Sequence, residues 1–142
     1  MENSINLSIL LPAFPLGMTI FIFILLRSFN RTINRLTKPV SFLLLFSIII
    51  STLLSLYFFI NNVDGDISLS HFLSIFQNLN LEIHLNKLTE EIIFSIGIIS
   101  SLIILYSLVK LPRQNGYILY LVNIGLITSV LISASLLFNL NT

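Results

Sequence analysis

A chain of 142 residues with 9% charged side chains, 56% hydrophobic residues and a mean hydropathy of +1.00 is too apolar for a water-soluble domain, which usually carries about 25% charged residues. The net charge of +1 gives no pointer to nucleic acid or acidic substrates. Cysteine is absent from the sequence, which excludes disulfides, thiolate metal sites and thiol redox chemistry.

A charge at the centre of a membrane helix costs roughly 2.5 to 3.5 kcal/mol, so the gaps between charges mark where hydrocarbon can fit. Four uncharged runs stand out: 24 residues between Glu2 and Arg27, 25 between Lys38 and Asp64, 18 between Glu91 and Lys110, and 29 after Arg113. About 18 to 20 residues at 1.5 Å each cross a hydrocarbon core about 30 Å thick. The expected fold is therefore all-α and integral to the membrane, one membrane domain with about four transmembrane helices.

The first span is expected over about 5–26. Glu2 replaces the basic start of a secretory leader and no small-residue cleavage site follows, so a retained helix is expected. Pro12, Pro15 and Gly17 predict a kink or a late helix start. Next come Arg27, Arg31, Arg35 and Lys38, which fall within roughly 80° of arc on a continuous helix, with Phe29, Ile33 and Leu36 opposite. Such a segment suits a headgroup plane and anionic lipid, or simply a loop that fixes insertion. The second span is expected over about 40–60, after Pro39 in a first helical turn.

The connection 61–89 is long enough for structure of its own. Asp64-Gly65-Asp66 reads as a turn. Leu79, Leu81, Ile83 and Leu85 then alternate with polar residues, the period of a half-buried strand, so a short hairpin or strand is expected over the helix ends. His71 and His84 share this connection with Asp64, Asp66 and Glu82, but the spacing matches no ligand motif, and no metal or cofactor site is expected.

The third span, about 92–109, is expected to follow Thr89 as N-cap, with Glu90 and Glu91 at the positive end of the helix dipole. The fourth, about 117–140, opens with Tyr117 and Tyr120, which read as interfacial aromatics. Gly97 with Ser101, and Gly125 with Ser129 and Ser133, recur at four-residue spacing, which lets helix backbones approach closely within this chain or against a partner. The uncharged runs leave no ionisable side chain for a proton pathway. No phosphate loop, nucleophile arrangement or carboxylate pair points to an enzyme. The basic loops, about 27–38 and 110–113, are expected to face the cytoplasm or its equivalent, with both termini opposite.

Several short segments resemble the N-terminal region of the large antiporter-like membrane subunit (chain L, subunit 5 or NdhF type) of type I NAD(P)H-quinone oxidoreductases. Leu85-Asn86-Lys87-Leu88-Thr89 stands where that family has Ile-Asp-Pro-Leu-Thr. A long apolar helix ending in Leu105-Tyr106-Ser107 follows, then Gly116-Tyr117, and then Leu131 to Leu137 in place of Leu-Val-Leu-Ser-x-Asn-Leu-Leu. The opening Leu10-Leu11-Pro12-Ala13-Phe14-Pro15-Leu16 is similar to the family's Leu-Ile-Pro-x-x-Pro-Leu. Asn86-Lys87 departs from the family's Asp-Pro, and the chain contains neither its Trp-Glu motif nor its lysine-bearing helices, so no proton-transferring residue carries over.

The resemblance implies a structural or accessory membrane component of a complex I-like quinone oxidoreductase in a cytoplasmic or thylakoid membrane, with other subunits and lipid as partners. It also implies a hairpin on the side to which protons are delivered. Two other readings stay open. One is a free-standing four-helix protein that binds lipid or a protein through the basic segment Arg27, Arg31, Arg35 and Lys38 and the small-residue faces at Gly97, Ser101, Gly125, Ser129 and Ser133. The other is a subunit of a multisubunit cation/proton antiporter. Nothing in the pattern points to a nucleic-acid partner.

Overall fold

The computed structural model describes residues 6–68, 82–112 and 114–137. A 3-10 turn, Leu7–Ile9, leads into α1, Leu10–Ser28. A short helix, α2, covers Asn30–Ile33, and α3 covers Thr37–Asn61. Strands β1, Gly65–Ser68, and β2, Glu82–Leu85, form an antiparallel pair, after which come α4, Lys87–Lys110, and α5, Tyr117–Leu137. The chain is thus an all-α membrane protein with a small two-stranded sheet. The four long helices, counted from Leu7 in the first case, are each long and apolar enough to cross a bilayer.

The helices pack as a ring in which α1 meets α3 and α5, while α4 closes the circle between α3 and α5. On the outside stand large apolar side chains such as Phe21, Phe46, Ile60, Ile99 and Ile127, each more than half exposed. A surface of that kind belongs in lipid rather than water. The interior divides into two clusters. Ile22, Val40, Leu44, Ile48, Ile104, Ile118 and Leu121 fill the half beside the basic loops. Leu11, Phe58, Ile93, Ile132 and Leu136 fill the other half, where Ile83 and Leu85 of β2 close the end.

Local chemistry sets each boundary. Pro15 lies inside α1 and has no N–H to give the carbonyl of Leu11 four residues back. The Ser51 hydroxyl of α3 donates to that Leu11 carbonyl instead, so the proline is accommodated by a neighbouring helix. At the far end of α3, Asn62 takes a left-handed conformation (φ 49°) that asparagine tolerates, ending the helix. Leu111 is extended ahead of Pro112, as the residue before a proline must be, and α4 ends at Lys110.

Three boundaries differ from the sequence expectation. Helix α4 starts at Lys87, with Asn86 as N-cap, and Thr89 sits three residues in, accepting the Asn86 N–H at 2.8 Å. Both residue types cap well, and the earlier one takes the position because Thr89 can reach back to it. Gly65 and Asp66 belong to β1 rather than to a turn; the direction change is made by Asn62. The basic segment is not one continuous helix, because Phe29 leaves helical geometry (φ −132°, ψ 47°) and separates α1 from α2. The expected strand residues Leu79 and Leu81, together with His71, Arg113 and the last turn beyond Leu137, lie outside the described residues.

Candidate functional site

The ends of α1 and α4 and the starts of α3 and α5 meet at one end of the bundle, so the two basic connections share it. Arg27, Arg31, Arg35 and Lys38 are all exposed there. Arg31 and Arg35, with Asn30, Asn34, Asn115 and the backbone of Gly116, line an open groove of about 780 Å³ floored by Leu26 and Leu119. The break at Phe29 turns Arg27 into a smaller adjoining groove with Phe23, Leu26 and Asn30, while Lys38 lines neither. Of the three apolar residues expected opposite the arginines, Ile33 is buried, whereas Phe29 and Leu36 stay exposed.

Each wall of the main groove has a local cause. The Asn34 amide donates to the Asn30 side chain one turn earlier, which aligns the two. On the other wall, Gly116 takes φ +100°, a conformation costly for residues with a Cβ, so that the Tyr117 N–H can bond Gln114 and Tyr120 can start α5 on Gly116. Two guanidinium groups and several amides converge on an opening with an apolar floor. Guanidinium groups match phosphate oxygens in a bidentate fashion, and the floor suits the first carbons of an acyl chain.

The small residues act inside the bundle to different degrees. A Cβ on Gly97 would stand 1.6 Å from the Thr52 methyl, and one on Gly125 would stand 2.0 Å from the Thr19 methyl, so both glycines sit at helix crossings. Ser129 is buried and donates to the Leu126 carbonyl of its own helix. Ser101 and Ser133 likewise donate to their own helices, at Ile98 and Val130. The hydroxyls of Ser100 and Thr128 do meet across helices, 2.9 Å apart.

Tyr117 is not an interfacial residue. It is buried, and its hydroxyl lies inside the bundle, accepting from Ser107 at 3.0 Å, with Ser41 3.5 Å away. Tyr120 remains partly exposed. On the hairpin, His84 Nδ1 lies 2.7 Å from an Asp66 carboxylate oxygen across the register pair of the two strands.

Sequence reasoning missed Glu90. With α4 starting at Lys87, Glu90 alone of the two acids falls in its first turn and Glu91 lies just past it. Glu91 is exposed, but Glu90 is fully buried, and neither of its carboxyl oxygens has a partner among the described residues. Its backbone carbonyl accepts the Ser55 hydroxyl at 2.8 Å, which fixes this turn of α4 against α3. The Ser8 hydroxyl is also buried and unpartnered among the described residues. The sequence does carry a signal: Glu90, Ile93, Gly97, Ser100, Ile104 and Ser107 step by three and four, and all are buried. The stripe that carries the expected packing residue Gly97 carries Glu90 as well. The sequence matches no family model, and no curated protein is significantly similar to it.

Proposed function

We propose that this chain is a structural membrane component without chemistry of its own, and that its basic end grips the phosphate of anionic lipid. The observation that carries this reading is the convergence of Arg31, Arg35, Asn30, Asn34 and Asn115 on one groove at the rim of the bundle. Positively charged loops sit on the cytoplasmic-equivalent face of membrane proteins, where anionic headgroups attract them by about 1 kcal/mol per basic residue. The test is lipid retention by the purified protein in mild detergent, read by native mass spectrometry. Arg31→Gln with Arg35→Gln should lower retained phosphatidylglycerol at least fivefold and leave phosphatidylcholine unchanged. Equal loss of both lipids, or no loss, rejects the reading.

A second reading places the chain beside larger subunits of a quinone oxidoreductase, as the family resemblance suggests. The specific support is the hairpin Gly65–Ser68 with Glu82–Leu85, which leads directly into the Asn86-Lys87-Leu88-Thr89 segment at the end opposite the arginines. Native electrophoresis of gently solubilised membranes tests it. Comigration with quinone oxidoreductase subunits supports the reading, and a small band without them rejects it.

A further inference from the structure

Asn123 lies on the outside of α5, exposed to whatever surrounds the bundle. It is four residues, about 6 Å at 1.5 Å per residue, from Ile127 at the midpoint of Tyr117–Leu137. The nearer end of the helix is six residues, about 9 Å, away. A side chain as short as asparagine's cannot reach headgroup level from there, as lysine or arginine can. Among the described residues nothing pairs with its amide. Ser101 and Ser133 solve the same problem by donating to their own helices, but the Asn123 amide makes no such bond.

An unpaired amide in hydrocarbon is costly, and a polar group from another helix is what relieves it. The surrounding face is apolar and uncovered by the rest of the described bundle. Tyr120, Leu126, Ile127 and Val130, three, four and seven residues away, are all exposed and form one continuous ridge along α5.

We infer that this face binds a second copy of the same chain, with Asn123 paired to Asn123. The amide carries both a donor and an acceptor, so two copies satisfy each other by reciprocal hydrogen bonds across a two-fold axis. Basic loops drawn to one side of the membrane give both copies the same orientation, and the two-fold axis then runs along the membrane normal and brings the two amides to the same depth. A different protein would need its own polar group at that depth. A single buried asparagine is also the device that fixes register and number of helices in coiled coils.

The sequence has no cysteine, so single-cysteine crosslinking in native membranes reads this face directly. Ile127→Cys, one turn from Asn123, should form a disulfide-linked species of twice the chain's mass. The yield should be at least fivefold above Ile99→Cys, which is exposed at the middle of α4. Adding Asn123→Leu to I127C should cut the yield at least threefold, and Asn123→Gln should preserve it. Circular dichroism of the N123L protein, whose changed side chain touches no core, checks that it is folded. The inference is overturned if I127C links no better than I99C, if N123L leaves the yield unchanged, or if the adduct contains a different protein.

Discussion

Ser51→Ala removes a hydroxyl whose acceptor, the Leu11 carbonyl, lacks its intrahelical N–H because of a proline in another helix. The Leu11 carbonyl is left without its normal partner by Pro15, and both Leu11 and Ser51 are fully buried. An unsatisfied buried acceptor costs about 1 to 3 kcal/mol in general. Helix-to-helix hydrogen bonds in membrane bundles average about 0.6 and reach about 1.7 kcal/mol. Complete burial puts S51A near the upper end, about 1.5 kcal/mol less stable.

Pro15→Ala restores an N–H at residue 15 that can bond the same carbonyl within α1. In that background S51A should cost only about 0.5 kcal/mol, leaving a coupling of about 1 kcal/mol, or roughly fivefold in the unfolding constant. Reversible unfolding in mixed detergent–SDS micelles, followed by circular dichroism, measures all four proteins of the cycle. Equal losses from S51A in both backgrounds would refute the claim that the serine compensates the proline.

Gly97→Ala should destabilise the bundle by about 2 kcal/mol, because its methyl would occupy the space of the Thr52 methyl. Thr52→Ser removes that methyl and should recover most of the loss in the same unfolding assay. Glu90→Leu replaces a buried carboxyl that has no partner among the described residues and should stabilise the protein by about 1 to 3 kcal/mol; a fall in stability would show that the carboxyl has a partner. Thr89→Val keeps the shape but loses the acceptor for the Asn86 N–H, and should cost about 1 kcal/mol, with hydrogen exchange rising first at the start of α4.

The four spans are legible in the sequence because charge in hydrocarbon is so costly that 18 or more residues without one are rare outside a membrane. The hairpin is legible at Ile83 and Leu85 because a strand with one face on the bundle end must alternate. Choices between chemically equivalent neighbours are not. Asn86 and Thr89 are both good caps, and only the fold shows which N–H each receives. Tyr117 has the composition of an interfacial residue, but a tyrosine can turn inward wherever serines offer its hydroxyl a partner, as Ser107 and Ser41 do. The groove is half visible. Helical spacing puts the arginines on one face, whereas Phe29 breaks that helix and Asn115 and Gly116 supply the opposite wall from a distant loop. Glu90 is readable from its three-and-four stripe, but its position in a first helical turn suggests a solvated acid.

The close crossings at Gly97 and Gly125 affect how the bundle responds to heat. Separating these helices inside a bilayer exposes their faces to acyl chains, not to water. The large heat-capacity increase that accompanies melting of a soluble four-helix protein comes from wetting apolar surface. Here that wetting is nearly absent, so the stability of α1, α3, α4 and α5 against one another should vary almost linearly with temperature and show no cold-induced dissociation. Contact geometry, rather than the expulsion of water, holds the four helices together.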